Sequence, residues 1–303
     1  MKRRSRSSEG FILVTVLLVS ALFLGAALSY AWFARQEMRR SSGAEFAAVS
    51  RGAALMALRE VSGWIAEDSS EYISPHRPLY SGIVPFKLEY GDFTVTLFIE
   101  PLDDKIPINA LFLPDGVTIK NEYAYSWSRI WEILGQDCGA LALDFLDADR
   151  SPRPGSREDE GFPNRPVSDL GQLLRLGEMK RELLYVSGDS PALERFVTVY
   201  GDAGININTA PAWVIAIMDP GIGSDAMEGL IRFRDQNAIK SAEDLSKIAG
   251  FSSTVITRLK NVINYKSEFF AVRIKVAGGA GERSFEAVLR RAGGSCSVVR
   301  WRE

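Results

Sequence analysis

The residues with the clearest chemical potential lie in ALALDFLDADRSPRPGSREDEGFPNRP, where Asp144, Asp147 and Asp149 precede a Pro/Gly/Ser loop and then Glu158, Asp159 and Glu160. Carboxylate oxygens gathered on one loop are hard ligands, the kind calcium takes roughly six to eight at a time. Residues 137–169 hold eight carboxylates against four arginines, Arg150, Arg153, Arg157 and Arg165. On composition alone the stretch therefore reads equally as a cation site and as a solvated acidic loop with its own counter-ions. The sixth position of an EF-hand loop lacks its glycine, so that motif is not assigned.

Other chemistries are poorly supplied. The one histidine, His76, sits in the turn-like run SPHRP, which leaves histidine-centred catalysis and zinc binding little to work with. A membrane-anchored hydrolase would have to find its nucleophile and base in the acidic loop. Cys138 and Cys296 lack CxxC spacing, and a single disulfide between them stays open. With a net charge of -2 and a pI near 5.7, the chain has no global attraction for nucleic acid.

A second motif, GININTAPAWVIAIMDPGIGSDAMEGLIRFRDQNAIKSAEDLSKIAGFSSTVITRL, covers residues 204–259. It looks like a tandem helix-hairpin-helix. Asn208-Thr209-Ala210-Pro211 caps a first helix, and Pro220 to Gly223, with Gly221 between them, forms a tight hairpin. A helix then runs from Asp225 to Asp235, Ser241 caps Ala242 to Ile248, and a second hairpin falls at Gly250. Such hairpins grip nucleic-acid phosphates through their amides and nearby cations, so a membrane-anchored DNA-uptake receptor is the rival function. Here Asp225 and Glu228 follow the hairpin, and residues 202–264 carry six basic side chains against seven acidic. That balance repels phosphate, and the preferred reading is a packing module whose glycines permit tight turns.

These motifs must be positioned by larger elements. Composition, 46% hydrophobic and 24% charged over 303 residues, suits two compact units and an anchor. Lys2, Arg3, Arg4 and Arg6 hold the N-terminus on the cytoplasmic side, and Phe11 to Ala34 carries no charge. At about 1.5 Å per residue this run spans a hydrocarbon core of about 30 Å with some tilt. It is longer than the apolar region of an ordinary cleaved signal peptide. Beyond it Phe46, Val49, Ala53, Ala57, Val61 and Trp64/Ile65 recur at helical spacing, and no proline occurs before Pro75. One helix of roughly 55 residues is predicted, apolar all round in its first half and striped in its second.

A charged leader ending in Gly10, then Phe11 and a long apolar helix, resembles a type IV pilin or pseudopilin. The resemblance implies that a prepilin peptidase cuts after Gly10 on the cytoplasmic face and that Phe11 is N-methylated. The fifth residue after that cut is Thr15, where most of the family carries a glutamate that pairs with a neighbouring subunit's amino terminus. Thr15 cannot form that ion pair, and its presence resembles the K-type minor pseudopilin of type II secretion, the largest of the set, placed at the pseudopilus tip.

Strand signals lie on both sides of a helical stretch. Phe86, Leu88 and Tyr90 alternate before Gly91-Asp92 and a β-branched run to Ile99. Near the end, Val272, Ile274 and Val276 oppose Ala271, Arg273 and Lys275, and Gly278 to Gly281 turns into a further strand. The predicted fold is α+β: a leader (1–10), a membrane-spanning helix (11–34), and a pilin-like α/β domain with an antiparallel sheet (35–112 and 265–303). A large α-helical insertion (113–264) containing the helix-hairpin-helix interrupts that domain. This order of elements is similar to the K-type pseudopilins. The resemblance implies calcium on Asp144, Asp147, Asp149, Glu158 and Asp159, and it implies no DNA role for the Asn-x-Asn-Thr-Ala-Pro motif. It further implies a non-enzymatic part in pseudopilus assembly and export, with I- and J-type minor pseudopilins as partners. The chain would sit in a bacterial inner membrane as a single-pass protein with its bulk in the periplasm.

Overall fold

The computed structural model describes residues 7–188, 190–202, 204–279 and 281–303. The leader cations Lys2, Arg3, Arg4 and Arg6 and the turn residue Ala280 lie outside them.

α1 (Ser7–Glu67) is one unbroken helix of 61 residues, and it is long and apolar enough to cross a membrane. From Phe11 to Tyr30 every described side chain faces outward. The Thr15 hydroxyl donates to the carbonyl of Phe11 at 2.9 Å. Its polarity is therefore satisfied within the helix rather than by a partner. Further along, Ala53, Ala54, Ala57, Leu58, Val61 and Ile65 are buried. Val49, expected in that stripe, is exposed, and burial begins instead at Ser50. Phe46 is half-buried and stacks on Phe93 at 5.9 Å between centroids. The small residues of the stripe let a sheet approach the helix closely.

That sheet is built from β1 (Phe86–Tyr90) and β2 (Phe93–Pro101), joined at Gly91, whose φ of +58° suits a residue without a Cβ. The chain then leaves through β3 (Ile106–Pro107), α2 (Asn121–Leu134), α3 (Gly139–Leu146), α4 (Arg181–Leu184), β4 (Val197–Thr198) and β5 (Ile205–Asn206). α5 (Ala212–Ala216), α6 (Ser224–Gln236), α7 (Ala242–Ser246), α8 (Ser253–Leu259) and β6 (Ile263–Asn264) follow. It returns to the sheet as β7 (Phe269–Gly278), β8 (Gly281–Ala292) and β9 (Ser295–Arg302). The sheet is antiparallel with strand order β1-β2-β7-β8-β9. Val95, Leu97 and Ile99 of β2, Val272, Ile274 and Val276 of β7, and Phe285, Ala287 and Leu289 of β8 are buried in one cluster with the α1 stripe. Arg273 and Lys275 alternate outward. Each such side chain contributes about 1.5–3 kcal/mol relative to exposure, which fixes the register because a slip by one residue would turn the whole set to water.

The second hydrophobic core lies in the excursion between β2 and β7. It starts at Ile106, Ile108 and Leu111, inside the segment expected to belong to the sheet domain, and ends at Ile263. The reason is the parallel pairing of β3 with β4, Ile106 opposite Val197, which draws the chain into the helical core before residue 113. β5 and β6 pair in parallel as well, Ile205 opposite Ile263.

A polar node stitches the two cores together. Asn206 is fully buried. Its amide donates to the carbonyl of Ile73 at 3.0 Å and to Ser267 Oγ at 2.8 Å, and its backbone N–H donates to the carbonyl of Asp103 at 2.7 Å. The buried Asp103 carboxylate accepts backbone N–H groups of Glu268 at 2.6 Å and Phe269 at 3.1 Å.

Candidate functional site

The acidic cluster forms where α3 stops. Asp144 in its last turn and Asp147 just beyond are both buried. Phe162 packs edge-on against Phe145 at 5.4 Å, which folds the following loop back so that Glu158 reaches the helix end. Oxygens of Asp147, Asp149 and Glu158 lie within 4.8 Å of one another. Asp144 joins the cluster through Arg153: Nη1 donates to Asp144 Oδ1 at 2.5 Å and also to Asp147 Oδ2, while the Arg153 backbone N–H reaches Asp144 Oδ2 at 3.1 Å. Asp159 turns away and pairs with Arg157 at 3.0 Å, in the open. Of the five carboxylates the sequence proposes, three converge, a fourth is tied in by an arginine, and the fifth lies outside the cluster.

Two oxygens, Asp147 Oδ1 and Glu158 Oε1, are buried with no hydrogen-bond partner. Unpaired buried carboxylate oxygens are costly. Burial pushes the Asp147 carboxyl up, and the Arg153 guanidinium only partly opposes it. Glu158 is raised by burial and by the charges of Asp147, Asp144 and Asp149, against a hydrogen bond from Asn164. Hard oxygens, two of them orphaned and facing like charges, suit a redox-silent divalent cation. Asn164 belongs to the site although composition did not point to it. Its amide donates to the carbonyl of Asp149 and to Glu158 Oε2, and its φ of +46° places it. The one available signal was an asparagine between two prolines, a residue that tolerates left-handed backbone.

The helix-hairpin-helix module has α5 and α6 around one hairpin and α7 and α8 around the other. Gly221 and Gly250 are sterically required. A Cβ at Gly221 would lie 2.8 Å from Val255 Cγ2, and one at Gly250, where φ is +88°, would lie 2.6 Å from Ala226 Cβ. Gly223 is extended at φ -91° with open space around it, so the hairpin does not need a glycine there. The capping roles differ from expectation. Pro211 occupies the N-cap position of α5 without a side-chain bond, and Ser241 precedes α7 without donating or accepting one. Asn208 does not cap α5. Buried, it pairs in both directions with Ile239, Nδ2 to the carbonyl at 2.8 Å and Oδ1 from the N–H at 2.7 Å. An amide that imitates a strand partner satisfies a buried backbone segment, and this outweighs a cap that water could supply.

At the first hairpin, Asp219 Oδ1 accepts the Gly221 N–H at 2.8 Å, and the carboxylate pairs with Arg258 at 2.5 and 2.7 Å. The amide and the guanidinium that a phosphate would seek are thus both held by one internal carboxylate. His76 bonds through Nε2 with the carbonyl of Arg234. Cys138 is buried in the helical core, Cys296 is half-buried beside the sheet core, and both are free thiols.

A membrane-capable helix running into an antiparallel sheet, with a helical insertion larger than the sheet-bearing body, gives a pilin-like fold with an added domain. More particularly, residues 205–263, which span the helix-hairpin-helix, match the family described as Type II secretion system (T2SS), protein K. The chain also has the fold of a chain in the crystal structure of the GspK-GspI-GspJ complex from the enterotoxigenic Escherichia coli type 2 secretion system. The TM-score is 0.60 at 17% identity, over 88% of this chain and 98% of that one. No curated protein matches the sequence. The family match covers that segment alone, and the solved structure shares the fold of the chain.

Proposed function

We propose that the protein is a minor pseudopilin at the tip of a type II secretion pseudopilus, acting in assembly and export rather than catalysis. The observation that carries this reading is a single 61-residue helix with a wholly exposed apolar half, continuous with a body that bears a second, separate core. An apolar helix exposed all round needs lipid or other helices to cover it. A head widened by the insertion would obstruct a subunit stacked above it, which favours an end position. The partners are then minor pseudopilins of the I and J types, the bulk lies in the periplasm, and a prepilin peptidase cuts after Gly10 and methylates Phe11. N-terminal sequencing of the mature protein is expected to begin at N-methylated Phe11; an intact Met1 overturns the pseudopilin reading.

Calcium belongs to the same proposal, held by Asp147, Asp149 and Glu158, with Asn164 behind Glu158 and Asp144 facing Arg153 instead of the ion. When bound, the ion would supply the positive charge that the buried oxygens lack and fix the loop without reacting. Calcium at about a hundredfold over its dissociation constant is expected to stabilise the fold by about 2.7 kcal/mol and to raise the melting midpoint by several degrees, reversibly on chelation. The pH dependence has two parts. Because the folded-state pKa values of Asp147 and Glu158 are raised, the metal-free protein loses stability as pH rises above the ordinary carboxylate range. Protons also compete with the metal, so the calcium-induced shift shrinks as pH falls. An unchanged midpoint at neutral pH removes calcium from the proposal.

A further inference from the structure

Arg153 is bound more thoroughly than a surface counter-ion would be. Its Nη1 spans Asp144 Oδ1 and Asp147 Oδ2, and its Nη2 donates to the carbonyl of Val117 at 2.6 Å. The guanidinium lies over the Phe112 ring at 5.6 Å. Both carboxylate side chains it bridges are wholly buried, and only a fifth of its own side chain is exposed. Asp147 is therefore divided: Oδ2 faces Arg153 and Oδ1 is buried without a partner, while an Asp147 oxygen lies within 4.8 Å of oxygens of Asp149 and Glu158. The carboxylates thus form two adjoining cation positions. The inner one, between Asp144 and Asp147, holds a guanidinium, whose planar fork suits two carboxylates at once. The outer one is bounded by carboxylate oxygens of Asp147, Asp149 and Glu158.

From this geometry we infer that Arg153 is a built-in cation of the cluster. It limits the site to a single divalent ion and keeps the loop folded when no metal is bound. The inference rests on the calcium reading above for the identity of that ion, and on the Arg153 contacts alone for the rest. A second divalent ion at the inner position would have to expel the guanidinium. While Arg153 stays, its charge also weakens binding at the outer position, which lies across one carboxylate from it. Removing the charge should therefore bring a gain of calcium binding together with a loss of metal-free stability. A purely structural arginine would show only the loss.

The test is calorimetric titration of calcium into the full chain in detergent, with tryptophan-fluorescence melts in chelator and in calcium. Wild type is compared with Arg153→Gln, Arg153→Lys and Asp144→Asn. Wild type is expected to take up a single ion. Arg153→Gln should melt lower in chelator and gain more from calcium than wild type does. It should bind either a second ion or the first one more tightly, on the order of tenfold. Arg153→Lys should keep the wild-type stoichiometry because the charge stays. Asp144→Asn should keep calcium binding because Asp144 faces the arginine. Arg153→Gln that binds and melts like wild type overturns the inference, as does loss of calcium binding in Asp144→Asn. If Arg153→Gln does not fold in chelator, folding on addition of calcium supports the inference, and failure in both leaves the decision to Asp144→Asn. Wild type that binds no calcium overturns the calcium reading alone, and the Arg153 inference then stands or falls on whether Arg153→Gln gains binding.

Discussion

Asn206→Ala is expected to lower stability by about 3–5 kcal/mol, among the larger effects a single substitution produces. The side chain is fully buried at the seam between the two cores. Removing its amide strands the carbonyl of Ile73 and the hydroxyl of Ser267, and removing its Oδ1 strands the Asn208 N–H, which it accepts at 3.0 Å. Each stranded buried group costs about 1–3 kcal/mol. The three partners belong to the segment after α1, the link into β7 and the helix-hairpin-helix. The loss should therefore appear as looser coupling of head to body as well as lower overall stability. Chemical denaturation read separately by a probe in each core tests this, with Asn261→Ala as comparison. Among the described residues the Asn261 side chain makes one exposed bond, to Glu122, and its change should stay within about 0.5 kcal/mol. An Asn206→Ala protein as stable as the Asn261→Ala protein would remove the seam from the account.

Asp103, beside that node, should make stability fall as pH rises between about 4 and 7. Burial pushes its carboxyl up to about 7, against the pull of the Glu268 and Phe269 N–H groups, whereas the unfolded chain titrates near 3.9. The folded state then binds more protons than the unfolded state across this window, so each step upward in pH costs stability. The accumulated cost at neutral pH is about 2–4 kcal/mol as an order of magnitude. Asp104, raised to about 6 by burial, adds to the same slope. Asp68 and Asp219 act in the opposite sense toward lower pH. At Asp68 the hydrogen bonds from Arg77, Ser70 and Tyr80 outweigh burial, and at Asp219 the Arg258 bond is the leading cause; both carboxyls are held low. Their contributions are complete above about pH 5 and are lost progressively as pH falls below it. Asp103→Asn should flatten the decline between pH 4 and 7, and a slope equal to wild type would show that Asp103 titrates normally. Melting midpoints taken across that range decide it.

Much of this architecture was legible because its signals are local. The uncharged run from Phe11 to Ala34 requires a helix that water cannot solvate. The alternation of Val272, Ile274 and Val276 against Arg273 and Lys275 requires a strand with one buried face. Gly91 and Gly250 marked turns because only glycine adopts positive φ without strain. The candidate site was legible in kind and only partly in membership. Asp147, Asp149 and Glu158 converge, but Asp159, adjacent to Glu158, points out to Arg157, since consecutive loop residues need not share a direction. Val49 fits the helical stripe and is nonetheless exposed, although Phe46 one turn earlier already stacks on Phe93 of the sheet.

By itself the sequence determined the elements whose pattern repeats within a few residues: the apolar helix, the two blocks of alternating strands, the hairpins and the acidic composition of one loop. Only the tertiary structure decided which groups meet across long separations. Arg153 could have been one counter-ion among four and proves to bridge Asp144 and Asp147, and Asn208 could have been a helix cap and proves to hold Ile239. The physical reason is that a side chain's burial and partners depend on what packs over it. For Asp103 and Asn206 that is chain more than 60 residues away, whose position no local pattern encodes.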